Sequence, residues 1–175
     1  MIRMSLQRLP LAQLNTMDRS AFVAQVGWAY EHSAWVAEGA WEDCPFQTIE
    51  DLYTAMERVV RSATSQKQMA LIQAHPDLAG RLRSMSELTL ASRREQAEAG
   101  LDELTATEAE QMARNNERYR EKFGFPFILC ARLSNADSIR AALEKRLENS
   151  RAKEIDVALG EISKIGRLRL ADAVS

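Results

Sequence analysis

The sequence predicts an all-α fold, a single-domain bundle of about seven to nine helices with one short extended segment near Phe125–Cys130. Three observations carry this. The 175 residues include only 7 Gly and 4 Pro and are rich in Ala, Leu, Glu, Arg and Gln, which lose little on entering a helix. Apolar side chains recur three and four positions apart along most of the chain, the period of a helix with one buried face. Side chains able to accept a first-turn N–H stand before successive stripes, several with an acid or amide three residues on.

After a loose start, Asp18 is placed to cap a helix whose Phe22, Val26 and Tyr30 form a stripe. Glu31-His32 follows, and His32 reads either as half of an acid–base pair with Glu31 or as a histidine that fixes a helix end. Cys44-Pro45-Phe46 breaks the pattern. Thr48 with Asp51 then opens a helix with Leu52, Ala55, Met56, Val59 and Ala63 inward. Ser65 with Gln68 makes the same cap pattern for a short helix that runs to Ala74. His75-Pro76 stops it, because a residue before proline is pushed out of the helical region. The imidazole is therefore expected off the helix end, clear of the packed surface. Gly80 permits a tight turn, and Ser84 to Leu90 reads as a loop.

Ser92, Glu95 and Gln96 stand at i, i+3 and i+4 and share one face of the next helix. Two readings stay open: Ser-x-x-Glu is a capping box, or the three side chains present a hydroxyl, an acid and an amide to a ligand. Gly100 and Leu101 end that helix. Thr105 with Glu108 caps another, whose inward Met112, Asn116, Tyr119 and Phe123 precede Gly124 at the stop. Asn116 needs a hydrogen-bond partner if buried. The segment Phe125–Cys130 is apolar at nearly every position and is expected to thread the core. With no ladder to join, its backbone groups must find helix ends, side chains, water or a ligand. Asp137 is placed to cap a helix with Ile139, Leu143 and Leu147 inward. The last helix, about Ala152 to Leu170, turns Ile155, Ala158, Leu159, Ile162 and Ile165 inward. Arg169 falls on that apolar side and Arg167 on the polar one with Ser163 and Lys164. Arg169 must be paired, reach a polar cavity, or snorkel at a fraying end.

Composition bounds the function. A 46% hydrophobic and 27% charged chain is an ordinary soluble one, long enough to bury about 70% of its unfolded surface as a single domain over 1–175. A net charge of -2 and a pI near 5.8 argue against a nucleic-acid partner, and Arg81/Arg83 and Arg93/Arg94 read as solvated faces. Cys44 and Cys130 form no framework, which suits a reducing compartment. The longest apolar run, Phe125 to Ala131, is too short to span a bilayer, so no membrane partner is expected. Neither end reads as a targeting signal, and the expected location is cytoplasmic. No HExxH or Cys/His cluster is present, and His32 with His75 would be a thin metal-ligand set.

Four segments then stand in a telling order: Glu31-His32-Ser33-Ala34-Trp35-Val36, Ala74-His75-Pro76-Asp77-Leu78-Ala79-Gly80, Ser92 through Asp102, and Phe123-Gly124-Phe125-Pro126-Phe127-Ile128. With the closing Arg167-Leu168-Arg169-Leu170 they resemble the 2-oxo-4-hydroxy-4-carboxy-5-ureidoimidazoline (OHCU) decarboxylase family, from about Leu9 to Val174. The resemblance implies an all-helical, cofactor-free enzyme, commonly a homodimer, that completes the route from urate to allantoin. It puts the catalytic histidine on His75 with Pro76 beside it, and the Ser, Glu and Gln contacts on Ser92, Glu95 and Gln96. The backbone around Phe127 and Ile128 and the Arg169 side chain would bind substrate. Glu98 departs from the family pattern, where a small Gly often stands, and is expected to face solvent. Some members carry a hydroxyisourate hydrolase domain, and none is read in this sequence.

The implied small-molecule substrate, a ureidoimidazoline, explains why no cofactor or metal is expected. Loss of CO2 leaves an electron pair that the neighbouring C=N can take up, so the substrate supplies its own sink. One face must then be protonated to give one allantoin enantiomer. An imidazole exchanges protons near neutral pH, which suits His75 as general acid–base, with Glu95 as partner to it or to the substrate hydroxyl. The rival readings are a non-catalytic helical binding module, in which Ser92 with Glu95 is only a cap and His75 only a helix stop, and a metal enzyme using His32, His75 and nearby carboxylates.

Overall fold

The computed structural model describes residues 8–76, 78, 90–101 and 103–175. Among them the chain forms nine α-helices and no β-strand, within the expected range. None of these helices is long and apolar enough to cross a membrane. The chain divides into two compact units. One comprises the described residues up to Gln68 with Ser163–Ser175, and the other runs from Met69 to Ile162. Asp77, Ala79, Gly80 and the Ser84–Thr89 loop reading lie outside the described residues, as do Arg81 and Arg83.

The first unit holds α1 (Leu11–Leu14), α2 (Arg19–Val26), α3 (Trp35–Ala40), α4 (Ile49–Ser62) and parts of α5 (Ser65–Ala74) and α9 (Arg151–Ala173). Asp18 accepts from the Ala21 N–H at 2.8 Å, and Thr48 with Asp51 makes a reciprocal capping box. Phe22, Val26 and Tyr30 are all buried, although the helix ends at Val26 and a 3-10 turn at Gly27–Ala29 carries the stripe on. The α4 stripe differs at its end. Val60 is buried where Val59 was expected, and Ala63 lies just past the helix. Val59 is half-buried and still faces α3: a Cβ on Gly39 would stand 2.8 Å from Val59 Cγ1, so Val59 lies against bare backbone. The start of α5 also differs. Thr64, not Ser65, is the cap, accepting from the Lys67 N–H at 3.3 Å, while Gln68 reaches back to the Val60 and Arg61 carbonyls. Gln68 thus closes the end of α4 instead of the start of α5. Leu9 and Val174 form an isolated parallel bridge, with Leu9 N–H donating to Ala173 O and Ser175 N–H to Leu9 O.

The second unit holds α6 (Leu90–Glu98), α7 (Ala106–Phe123), α8 (Ala136–Arg146) and the remaining parts of α5 and α9. Thr105 and Glu108 form the expected capping box, and Gly124 stops α7 at φ +80°. Met112, Asn116, Tyr119 and Phe123 are buried as predicted. The cap of α8 is Asn135, paired with Ser138, and not Asp137. Asp137 sits in the first turn, where its carboxylate receives Arg140. Leu147 is only half-buried, because α8 rotates Arg146 inward beside Ile139 and Leu143. Phe123, Phe125 and Phe127 close on Tyr119 with ring centroids 4.5–6.0 Å away. Such pairs add about 0.5–1.5 kcal/mol each beyond their burial, and they lock the non-helical segment into this unit.

Candidate active site

α5 ends at Ala74, and His75 lies in the bend before Pro76, where the sequence put it. The ring is not clear of the packed surface, however. His75 is 5% exposed, and its Nδ1 lies 2.9 Å from the carbonyl oxygen of Leu71. The imidazole folds back over the last turn because that turn leaves carbonyls without helical donors. A carbonyl only accepts, so Nδ1 carries the proton and donates. In the neutral ring Nε2 is then the nitrogen with the basic lone pair.

α6 bears on one of the two readings of Ser92. The helix includes Leu90 and Ala91, so Ser92 stands within it and is no N-cap. It is nonetheless 4% exposed, with Glu95 and Gln96 half-buried on the same face. The helix stop is as predicted. Gly100 has φ +75°, its N–H donates to Ala97 O, and Leu101 N–H donates to Gln96 O. Glu98 is exposed and pairs with Arg94. α6 packs against a 3-10 turn at Ala131–Leu133. There burial raises the Cys130 thiol pKa above its ordinary range, helped by the charges of Glu161 and Glu95. Cys130 is therefore a buried thiol and no nucleophile, and Glu95 lies near enough to the extended segment to act on it.

That segment is unstructured by helix or strand, and Phe125, Phe127, Ile128 and Cys130 are buried. Its backbone groups find side chains. Arg146 Nη1 donates to the Ile128 carbonyl at 2.7 Å, and the Cys130 N–H donates to Glu161 Oε2 at 2.8 Å. Arg146 stacks on Phe127 at 4.5 Å and donates twice to Glu154 Oε2, at 2.8 and 3.0 Å. Glu154 also receives the Tyr119 hydroxyl and, at 2.6 Å, Asn149 Nδ2. Burial alone would raise the Glu154 pKa. The hydrogen bonds from Arg146, Tyr119 and Asn149 outweigh that and hold it below the usual carboxylate range. Asn116, flagged as needing a partner, donates to the Leu78 carbonyl at 2.7 Å, two residues past Pro76.

Arg169 belongs to the first unit and is 2% exposed, so it is buried instead of snorkelling. Nη2 lies 3.2 Å from Glu31 Oε1 and Nη1 lies 3.4 Å from Ala29 O. Arg167 is exposed on the opposite side, forked onto Glu50 and stacked over Tyr53. Glu31 therefore pairs with Arg169, while His32 is exposed at φ +46°. His32 lies in the first unit and His75 in the second. Among the described residues no cluster of three His, Cys, Asp or Glu forms a metal-ligand group.

Of the residues singled out from sequence, His75, Pro76, Ser92, Glu95, Gln96, Phe127 and Ile128 share the second unit, and Arg169 does not. Eight polar side chains are buried among the described residues, and His75, Ser92 and Arg169 are three of them. Sequence reasoning missed the partnerships of Glu31, Arg146 and Glu154. A signal existed, since Arg146 continues the Ile139, Leu143 stripe at i+7 and Glu154 precedes Ala158 and Ile162 at i+4 spacing.

The OHCU decarboxylase family model matches residues 15–171. A 2-oxo-4-hydroxy-4-carboxy-5-ureidoimidazoline decarboxylase of Haloferax volcanii is 44% identical over 170 residues, 97% of this chain and 99% of that protein. A crystal structure of (S)-allantoin synthase is similar with a TM-score of 0.78 at 29% identity. The match covers 95% of this chain and about half, 54%, of that one. A crystal structure of OHCU decarboxylase in the presence of (S)-allantoin gives a TM-score of 0.65 at 28% identity, covering 80% of this chain and 90% of that one.

Proposed function

Because this chain belongs to the OHCU decarboxylase family, we propose that it removes CO2 from 2-oxo-4-hydroxy-4-carboxy-5-ureidoimidazoline and releases (S)-allantoin. The reaction is a carboxy-lyase step of urate degradation that needs no cofactor. The bond from the hydroxyl-bearing ring carbon to the carboxylate breaks, CO2 leaves, and the electron pair forms a C=C bond to the ureido-bearing carbon while the C=N pair moves onto nitrogen, which takes up a proton. The hydroxyl then gives up its proton as the carbonyl forms, and a proton is added to the ureido-bearing carbon.

His75 is the acid–base that moves these protons. The observation that carries this role is the bond from Nδ1 to the Leu71 carbonyl, which leaves Nε2 as the base of a buried, fixed ring. Glu95 partners His75 or the substrate hydroxyl, and Ser92 and Gln96 hold the ureido and ring amides. Pro76 shapes the wall beside the imidazole. Phe127 and Ile128 contribute backbone contacts, and Arg146 holds the Ile128 carbonyl in place. Arg169 anchors a ring or ureido carbonyl and the charge that develops on it. A clamp on the departing carboxylate would be strongest in the ground state and would slow the reaction. The same proposal takes residues 1–175 as one catalytic domain, working in the cytoplasm as a homodimer.

The binding-module reading took Ser92 with Glu95 as only a cap and His75 as only a helix stop; α6 already includes Leu90, which weighs against the cap, and the role of His75 is left to experiment. The test is to add freshly generated substrate to EDTA-treated protein and follow the optical activity of the product. Accelerated formation of one allantoin enantiomer is expected. Formation at the spontaneous rate as racemate would reject the proposal, and activity lost with EDTA and restored by a divalent cation would revive the metal reading.

A further inference from the structure

Glu31 is an expensive residue to bury, because a carboxylate taken out of water must be compensated by its partners. It is 2% exposed, and Arg169 Nη2 stands 3.2 Å from it while Nη1 is turned to the Ala29 carbonyl. All three belong to one unit. If orientation alone were needed, a second carbonyl or an amide oxygen would hold the fork without burying another charge. A carboxylate does something more. It offsets the positive charge of Arg169 while holding the plane of its guanidinium.

That offset matters for a substrate that must lose a carboxylate. A fully charged guanidinium would attract the carboxylate of the bound substrate, and that attraction would vanish as CO2 departs. We propose that Glu31 is a positioning residue that sets both the direction and the effective charge of Arg169, so that the arginine selects a neutral carbonyl over a carboxylate. The inference rests on the reading that Arg169 touches the substrate.

The experiment measures the affinity of two probes, neutral (S)-allantoin and its ring-opened carboxylate, diureidoacetate. Wild type should prefer allantoin. In Glu31→Gln the preference should shift toward diureidoacetate by about tenfold or more, the order expected when one nearby opposing charge is removed. With the substrate itself, kcat and KM should fall together, the pattern of a ground state held too tightly, whereas a general loss of structure would raise KM. Glu31→Asp, with its carboxylate drawn back by one methylene, should shift the preference in the same direction by less, and it decides the matter if the glutamine variant does not fold. An unchanged probe ratio in the folded variants overturns the inference. Arg169→Gln separates the two layers. If it loses allantoin affinity while Glu31→Gln leaves the ratio unmoved, only the role of Glu31 falls. If Arg169→Gln binds both probes like wild type, the substrate contact falls and the role of Glu31 with it.

Discussion

His75 Nδ1 and the Leu71 carbonyl oxygen are 2.9 Å apart, across the last turn of the helix that His75 ends. One hydrogen bond thus satisfies a helix carbonyl and selects the tautomer of the ring. His75→Ala should remove the acid–base contribution, about 10² to 10⁴ in kcat. The structural loss is one hydrogen bond at a helix end and the packing of one ring, so the circular dichroism spectrum should be unchanged at 25 °C. Wild-type kcat in a folded His75→Ala protein would end the case for this residue.

Ser92 is buried within α6, and this gives a stability order that a cap would not. At an N-cap, Asp serves as well as Ser and Ala is worse, typically by about 1 kcal/mol. Within a helix Ala is the best former, and a carboxylate at this buried position must be taken out of water. Ser92→Ala should therefore be the more stable of the two variants, and its kcat/KM should fall about tenfold, the worth of one substrate hydrogen bond. Urea denaturation of both variants checks this. Stability in the order Ser, Asp, Ala, with activity intact, would restore the capping role.

Much of the fold was legible because helices announce themselves locally. Thr48 with Asp51, Thr105 with Glu108, and Gly100 and Gly124 at positive φ are each read from a few neighbouring residues. The errors have one origin. Ser65, Ser92 and Asp137 are all acceptable caps, and in each case the helix takes in earlier residues: Thr64 caps α5, α6 includes Leu90, and Asn135 caps α8. Cap chemistry proposes starts, and packing chooses among them. In the site, the helix stop at His75 was local and visible. The fold-back onto Leu71, the pairing of Arg169 with Glu31, and the hold of Arg146 on Ile128 depend on which side chains tertiary packing brings together, and spacing alone does not encode that.

Glu154 makes a pH prediction. Its folded pKa is below that of the unfolded chain, about 4.3, because the hydrogen bonds it accepts outweigh its burial. A lowered pKa contributes stability that is present above the unfolded value and lost as pH falls through the folded one. Wild type should therefore lose stability steadily below about pH 4. Glu154→Gln leaves Arg146 buried without its carboxylate and should cost about 3–5 kcal/mol at pH 7, with a flatter decline toward acid. Denaturant midpoints at pH 7, 5, 4 and 3 would show the two curves converging. Parallel curves would mean that Glu154 does not titrate with folding.

Arg169→Lys tests the fork itself. Lysine keeps the charge and can still reach Glu31, but its ammonium cannot satisfy Ala29 and Glu31 from one plane while presenting a flat edge to a ligand. The fold should lose little, about 1 kcal/mol for one weakened hydrogen bond. The activity should lose more, because a donor displaced by about 1 Å can cost on the order of 10² in rate. The expected signature is a fall in kcat/KM that exceeds, in free-energy terms, the change in stability measured on the same preparation. If Arg169→Lys turns over substrate like wild type, the arginine is there for Glu31 and the packing of α9, and the carbonyl anchor must be sought elsewhere.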